Sequence, residues 1–275
     1  MAAKEDAKYA LGRMKREAER LQKQHAWHQA CLQGQIVFAA VDLEKPGLKV
    51  LDVGCAEGSL LRDLQKQVSP SAQLFGVDLT AAFLPESPQG NIRYAVGNVC
   101  DPPPAEHVRA FDLTHVRSLL VGCGSVSIDN PVSNLVATLS PGAWLQVQEL
   151  DVLHPTPGTA HGDLLRILAA IWNKTGPGAA IVNDLGDAFV RAGLTNVEVR
   201  RVQLPVGKKM GNERDARDSL EPFKLAVPNI SNGAKAMGLD LPASVFDNLA
   251  ERFEQEMLEQ GAVFGNVLVY GQKPL

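Results

Sequence analysis

The first chemical signal is a glycine-rich turn in the segment KVLDVGCAEGSLL, residues 49–61. A short apolar strand ends at Asp52, Gly54 and Gly58 follow, and a helical run begins directly after them. This order places backbone N–H groups and a helix N-terminus at the carboxyl end of a strand. A side chain at either glycine would occupy the space where ligand and backbone meet. The turn therefore predicts a ligand site, and a tight strand-to-helix connection is the alternative.

A second acidic residue narrows the type of ligand. Asp78 ends the next apolar run, FGVD, twenty residues after Gly58, where a carboxylate can accept hydrogen bonds from ribose hydroxyls. Together the two features predict an adenosine-containing ligand. Glu57 and Asp52 would repel a pyrophosphate at the turn, whereas a sulfonium cation beside an ammonium group would not be repelled. The pattern therefore favours S-adenosylmethionine over a dinucleotide.

The elements that position these residues alternate along the chain from Lys49 onward. Strand candidates are AQLFGVD, NIRYAVGN, FDLTHV and AWLQVQEL, with VEVRRVQLPV and FGNVLVYGQ near the C-terminus. Such alternation with helical runs predicts an α/β fold of parallel strands and helical crossovers. Residues from about 5 to 42 show helical spacing, so we expect a helix before the sheet. The segment 153–182 combines turn residues with an apolar helix and could be a lid over a pocket.

Length, composition and charge restrict the class of protein. The 275 residues, 45% of them hydrophobic, are sufficient for one elaborated domain with a full core. Lys and Arg total 27 against 31 for Asp and Glu, a formal net charge of -4 that does not favour nucleic acid as a partner. No segment approaches the roughly 18 apolar residues of a membrane span, so we expect a cytoplasmic protein. The four cysteines form no CxxC pair, which is typical of reduced thiols, and no spacing predicts a metal site.

The segment DVGCAEG resembles motif I of the class I S-adenosylmethionine-dependent methyltransferases, usually DxGxGxG, with Ala56 in place of the middle glycine. FDLTHVRSLL followed by PGAWLQVQEL is similar to the paired motifs of the LaeA-like methyltransferases of fungal secondary metabolism, and ERLQKQHAWHQACLQGQI resembles their N-terminal helix. Similarity extends through LGDAFVRAGLTNVEVRRVQLPVG to VYGQKP, and so covers most of the chain.

This resemblance implies an α/β, Rossmann-like class I methyltransferase fold. Its sheet would be mostly parallel and seven-stranded with an antiparallel last strand, accompanied by N-terminal helices and a helical lid. The implied organisation is a helical extension over residues 1–45 and an S-adenosylmethionine-binding domain over 46–275. Within that domain, 153–182 and 207–260 would be helical insertions that cover the substrate side.

The resemblance also implies which residues contact the cofactor. They are Asp52, Gly54, Cys55, Ala56 and Gly58 in the turn, Asp78 and Leu79 after the second strand, Asn98 and Val99 after the third, and His115, Arg117 and His25 near the methionine end. In this family the residue after the third strand holds the adenine; the Asn98 side chain can accept from its amino group, and the Val99 N–H can reach a ring nitrogen. Arg117 could pair with the cofactor carboxylate or form a structural salt bridge. The alternative for His25 is a packed or surface residue of the helix, which is the more common role of a histidine in such a position.

The chemistry of methyl transfer leaves the need for a base open. Alignment and desolvation can supply much of the rate, and a general base is needed only if the acceptor must lose a proton. The catalytic candidates are His115, Glu149 and His154, with Asp151 and His161 as further possibilities. For Glu149 the alternative is a structural carboxylate bonded to loop N–H groups.

We hypothesise that the protein is an S-adenosylmethionine-dependent methyltransferase acting on an apolar small molecule at O, N, S or C. Trp172, with Leu165, Leu168 and Ile171, is either helix core or an apolar wall for such a substrate. Two alternatives are a LaeA-like regulatory protein, with protein partners and nuclear localisation, and a methyltransferase-fold protein that catalyses a cyclisation or isomerisation with the cofactor structural.

Overall fold

The computed structural model describes residues 2–87, 90–124 and 127–275, with side chains described from residue 15 onward. Its centre is a sheet of seven strands in the order β3-β2-β1-β4-β5-β7-β6. In chain order the strands are β1 (Lys49–Val53), β2 (Gln73–Asp78), β3 (Ile92–Val96), β4 (Phe111–Arg117), β5 (Leu139–Asp151), β6 (Thr195–Val206) and β7 (Ala262–Gln272). Strand β7 is antiparallel to both of its neighbours, while β1 to β5 pair in parallel. The predicted mostly parallel sheet with an antiparallel last strand is confirmed.

Helices cover both faces of this sheet. They are α1 (Ala2–Cys31), α2 (Ser59–Leu64), α3 (Asp129–Thr138), α4 (Ala160–Thr175), α5 (Ile181–Arg191), α6 (Glu213–Asp218), α7 (Glu221–Ala236) and α8 (Leu249–Glu259). Apolar residues of α3 and α5, such as Leu135 and Leu185, pack with Val147 and Val267 on one face. On the other face Leu61 of α2 belongs to a second cluster with Val50 and Leu74, joined by the chain that follows α1. The sheet is therefore buried on both sides, as a parallel sheet requires.

The N-terminal helix is shorter at its carboxyl end than the sequence predicted. It ends at Cys31 rather than near residue 42, because Gln33 and Gly34 have φ of 52° and 80°, outside the right-handed helical region. The Gly34 N–H donates to the Gln29 carbonyl at 2.9 Å and closes the last turn. The following residues cross the sheet, where the backbone N–H of Phe38 donates to the Gln146 side chain at 2.7 Å.

The segments 153–182 and 207–260 contain α4 and α6 to α8. Helices α4, α7 and α8 contact one another beside the ends of β5 and β6. Their shared apolar cluster includes Leu165, Val227 and Phe253 together with Phe264 of β7. Among the described residues, no helix combines the length and the apolar character needed to cross a membrane.

Candidate active site

A cavity of about 570 Å³ lies at the carboxyl ends of β1, β2, β4 and β5. One side is formed by the turn between β1 and α2, by Asp78 at the end of β2 and by the turn that follows β4. The opposite side is formed by α1, α4 and α7. Open α/β sheets bind their ligands at this position, outside the carboxyl ends of the strands. The predicted ligand turn is therefore part of the wall of a cavity.

The glycine turn adopts a backbone that few side chains tolerate. Gly54, Ala56 and Gly58 have φ of 79°, 47° and 79°, in a region that costs L-residues roughly 1–2 kcal/mol. A Cβ at Gly54 would lie 3.1 Å from Cδ2 of Leu119, and one at Gly58 would lie 2.1 Å from the hydroxyl of Tyr94. Side chains added at these glycines would therefore meet Leu119 and Tyr94. Gly54 also lines the cavity, and the expectation that an added side chain would fill ligand space stays a prediction.

Asp78 stabilises this turn and also faces the cavity. Its Oδ2 accepts a hydrogen bond from the backbone N–H of Ala56 at 2.9 Å, and its Oδ1 accepts one from Thr80 at 2.8 Å. Each carboxylate oxygen can accept more than one hydrogen bond, so capacity remains for ligand hydroxyls. Cys55 lies beside it in the cavity wall, and burial raises the pKa of its thiol.

Three of the residues expected to contact the cofactor, Leu79, Asn98 and Val99, lie outside the cavity wall as described. Leu79 is 67% exposed. The exposed Asn98 is engaged locally, since its Oδ1 accepts from the backbone N–H of Cys100 at 3.0 Å. Val99 packs against the core, and its carbonyl accepts from Asn134 at 3.0 Å. The contact of Asn98 and Val99 with adenine, and that of Leu79 with the cofactor, stay predictions. The local hydrogen bond of Asn98 is what the alternative of an ordinary turn residue predicts.

Asp52 and His115 form a buried pair. The Nδ1 of His115 lies 2.8 Å from Oδ1 of Asp52, and the two residues are 1% and 3% exposed. Asp52 lines the cavity, whereas His115 lies behind it on the neighbouring strand, where it lines a small separate cavity. The geometry gives His115 the role of holding Asp52, and it does not bring the imidazole to the cavity as a catalytic group would require.

Arg117, at the end of β4, is joined to α1. One guanidinium nitrogen donates to Nδ1 of His25 at 2.9 Å, and Nε2 of His25 lies 2.9 Å from Oδ2 of Asp63 in α2. Burial and the Arg117 charge lower the pKa of His25 to about 4, so this histidine is neutral near pH 7. Among the described residues no carboxylate lies within ion-pair distance of Arg117. Burial lowers the pKa of the Arg117 guanidinium. Arg117 and His25 both line the cavity.

Glu149, near the end of β5, is fully buried at 0% exposure and also lines the cavity. Its Oε1 accepts hydrogen bonds from the backbone N–H groups of Leu119 and Leu120 at 2.9 and 2.6 Å. Its Oε2 has no hydrogen-bond partner among the described residues. Burial raises the pKa of Glu149 to about 7, and the two backbone hydrogen bonds oppose this shift. The structural alternative for Glu149 thus accounts for Oε1, whereas Oε2 is buried without a partner within the described ranges.

The opposite wall of the cavity is apolar. Leu164, Leu168 and Trp172 recur every four residues on one face of α4 and line the cavity, together with Phe223 and Ile230 of α7. Leu165 and Ile171 do not line the cavity, and they pack in the core between α4 and its neighbouring helices. Leu164 belongs to the same core cluster, and Leu168 and Trp172 pack against it, so the helix-core interpretation agrees with the packing. Contact of the apolar wall with a substrate stays a prediction.

Two of the proposed bases lie elsewhere. His154 is exposed and is not part of the cavity wall. His161 packs edge-on against Phe264 with ring centroids 4.6 Å apart, and burial lowers its pKa. A histidine that sequence reasoning missed, His28, lines the cavity one helical turn after His25. The three-residue spacing of these histidines was the signal that could have found it.

Comparison with known proteins identifies the family. No family model matches the chain. The methyltransferase psoC of Aspergillus fumigatus is 29% identical over 255 residues, which cover 92% of this chain and 93% of that protein. The N-methyltransferase tcpN of Claviceps purpurea is 29% identical over 268 residues, 94% of each chain. The methyltransferase str3 of Strobilurus tenacellus is 30% identical over 210 residues, 72% of this chain and 70% of that protein. The chain belongs to this family of fungal methyltransferases.

Solved structures agree with this fold. Phosphoethanolamine N-methyltransferase 2 of Haemonchus contortus, in complex with S-adenosylhomocysteine, superposes with a TM-score of 0.53 at 16% identity. The match covers 90% of this chain, which spans about half, 53%, of the length of that protein. Geranyl diphosphate C-methyltransferase of Streptomyces coelicolor gives a TM-score of 0.51 at 13% identity, covering 88% of this chain and 78% of that one. The chain therefore has the predicted class I methyltransferase fold, and S-adenosylmethionine stays its predicted cofactor.

The charges of the methyltransferase's cavity fit this cofactor. Five acidic side chains and two arginines line it, namely Glu17, Asp52, Glu57, Asp78 and Glu149 with Arg20 and Arg117. An acidic excess favours a ligand that carries a sulfonium and an ammonium group. Arg117, which has no carboxylate partner among the described residues, matches the single carboxylate of the same ligand. Glu57, expected to repel an anion, is neutralised in part by its ion pair with Arg62.

Proposed function

We propose that the enzyme methylates an apolar small molecule of secondary metabolism, with nitrogen as the favoured acceptor atom. The observation that carries this proposal is the continuity of one cavity from the acidic turn to the apolar wall of Leu164, Leu168 and Trp172. A substrate packed on that wall would reach the cofactor without leaving the cavity. The name of the Claviceps purpurea relative, an N-methyltransferase, supports nitrogen as the acceptor.

The proposal assigns cofactor contacts to particular side chains. When bound, S-adenosylmethionine supplies an electrophilic methyl group on a sulfonium cation. Asp78 would accept from the ribose hydroxyls, and Arg117 would donate to the amino acid carboxylate. His25 would orient Arg117 and, with the rest of α1, cover the cavity. Covering the cavity excludes water, which strengthens the electrostatic interactions inside it.

Methyl-labelled S-adenosylmethionine and a panel of apolar amines, amides, phenols and thiols would test this function. We expect label to enter at least one amine or amide, with formation of S-adenosylhomocysteine, measured by mass spectrometry. Arg117→Ala should lose transfer, and Arg200→Ala, at an exposed position on β6, should retain it. Tight binding of S-adenosylhomocysteine without transfer to any acceptor class would contradict the proposal and favour a structural role for the cofactor.

A further inference from the structure

Four of the five carboxylates that line the cavity are already committed to partners on the chain. Two form ion pairs with arginine, one is held by a histidine and one by two backbone N–H groups. These pairs are Glu17 with Arg20, Glu57 with Arg62, Asp52 with His115, and Asp78 with the N–H groups of Ala56 and Thr80. Glu149 is the exception within the described part of the chain, because its Oε2 has no partner.

The environment of Glu149 prepares one oxygen to hold negative charge and leaves the other to take a proton. The Leu119 and Leu120 N–H groups both donate to Oε1, so the ionised form is stabilised on that side. No cationic side chain in the described regions is within ion-pair distance of Glu149, so nothing there fixes the carboxylate permanently as an anion. The Leu119 and Leu120 N–H groups also hold the carboxyl group in place, because their turn follows directly on β4 and is anchored to the sheet.

We propose that Glu149 is the catalytic base of this methyltransferase and removes the proton of a neutral N–H or O–H acceptor. The inference rests on the proposed function, since a base has a role only where methyl is transferred to such an acceptor. As the bond from the acceptor atom to the methyl carbon forms, the S–C bond breaks and its electron pair stays on sulfur. The acceptor proton moves to Oε2, so a cation and a carboxylate give a neutral thioether and a neutral carboxylic acid.

The acidity of Glu149 suits this role. Burial raises the pKa of Glu149 to about 7, and a base works best when its pKa lies near the working pH. An ordinary carboxylate would be ionised but too weak a base for most neutral acceptors. The nearby cationic cofactor favours the ionised form while substrate and cofactor are both bound.

The two histidines of the cavity wall are poorer candidates. His25 is used on both ring nitrogens, towards Arg117 and Asp63. His28 is buried beside Gln148, and its Nδ1 lies 3.4 Å from Nε2 of Gln148. Burial holds the pKa of His28 well below its ordinary value. A histidine with such a depressed pKa binds a proton less readily than Glu149 near neutral pH.

Glu149→Gln tests the proposal, because glutamine can still accept from the Leu119 and Leu120 N–H groups but cannot take the proton. The probes are labelled S-adenosylmethionine and those amines, amides and phenols that the wild type methylates. We expect kcat to fall by about 10² or more, with unchanged KM and unchanged affinity for S-adenosylhomocysteine. The control Glu259→Gln, at an exposed position at the end of α8, should match the wild type.

The pH profile separates a base from a structural carboxylate. The wild-type kcat should rise with pH and level off above an apparent pKa below about 7, because the bound cofactor cation lowers the pKa of Glu149 from its value in the free enzyme. The residual kcat of Glu149→Gln should lack this rise. A variant that binds S-adenosylhomocysteine and keeps kcat within about tenfold of the wild type overturns the inference. If Glu149→Gln fails to fold, a wild-type kcat that is flat between about pH 5 and 9 overturns it as well. A wild type that methylates none of the probes contradicts the proposed function itself.

Discussion

The guanidinium of Arg117 donates to Nδ1 of His25 at 2.9 Å and thereby ties the end of β4 to the N-terminal helix. His25 is neutral near pH 7, since burial and Arg117 lower its pKa to about 4. A neutral imidazole can accept from Arg117 on one nitrogen and donate to Asp63 on the other. The remaining donors of Arg117 are therefore held in place for a carboxylate in the cavity.

Replacement of Arg117 by alanine should weaken S-adenosylhomocysteine binding by about 1.5–3 kcal/mol, the usual contribution of a hydrogen bond to a charged group. Methylthioadenosine, which lacks the amino acid part, should bind the variant and the wild type equally. Isothermal titration calorimetry with both ligands measures this. The Arg200→Ala variant is the control. If Arg117→Ala weakened the binding of S-adenosylhomocysteine and of methylthioadenosine equally, Arg117 would not contact the carboxylate and would instead support the site as a whole.

Replacement of Gly58 by alanine should destabilise the fold through two separate effects. The left-handed φ of 79° adds strain of roughly 1–2 kcal/mol, and the clash with Tyr94 adds about 1–3 kcal/mol. Gly47→Ala is the matched control, because Gly47 has a φ of 70° and nothing within 4 Å of its added Cβ. Urea unfolding measures the free energy of unfolding of Gly58→Ala, Tyr94→Ala and the double variant. In the Tyr94→Ala background, Gly58→Ala should lose only the strain contribution, because the clash is gone. If the losses of the two single variants add up in the double variant, the packing argument is contradicted.

The sequence predicted the glycine turn, the position of Asp78 at the end of β2 and the parallel strands, because each depends on local residue order or on recognisable motifs. It could not predict the side chains beside Gly54 and Gly58, since Leu119 comes from the turn after β4 and Tyr94 from β3. The environment of Glu149 depends on backbone N–H groups of a turn 29 and 30 residues earlier in the chain, and on burial, which no sequence spacing shows. The early end of α1 depends on the left-handed φ of Gln33, an unusual conformation for that residue type.

Trp172 and Leu165 should respond differently to truncation because Trp172 lines the cavity, whereas Leu165 belongs to the core cluster and does not line it. Trp172→Ala removes part of the apolar wall, so KM for an apolar acceptor should rise about tenfold or more, from roughly 1.5–3 kcal/mol of lost contact. Leu165 is 3% exposed in the core. Its replacement by alanine should lower the free energy of unfolding by about 2–5 kcal/mol. Steady-state kinetics and urea unfolding distinguish the two effects. Unchanged KM in Trp172→Ala would remove this residue from the substrate site.

The pH dependence of stability should report the buried state of Glu149. Its pKa is raised from the ordinary value of 4.5 to about 7, so between these values the native state keeps a proton that the unfolded chain has released. The free energy of unfolding should therefore fall as pH rises through this window, by at most about 3 kcal/mol, and change no further above it.

Glu149→Gln should lack this loss, so that its stability relative to the wild type increases from about pH 5 to about pH 8. Urea unfolding at several pH values gives the comparison. Glu259→Gln should follow the wild-type curve, since that carboxylate is exposed. Parallel curves for Glu149→Gln and the wild type would show that Glu149 titrates near its ordinary value.

A crystal structure of the enzyme with S-adenosylhomocysteine tests the account most directly, because it shows where the cofactor lies. We predict that the ribose hydroxyls lie within hydrogen-bond distance of Asp78 and that the amino acid carboxylate lies on Arg117, with His25 still bound to the guanidinium. The thioether sulfur should point towards the apolar wall formed by Leu168 and Trp172. A cofactor bound outside this cavity, or a carboxylate that makes no contact with Arg117, would contradict the account.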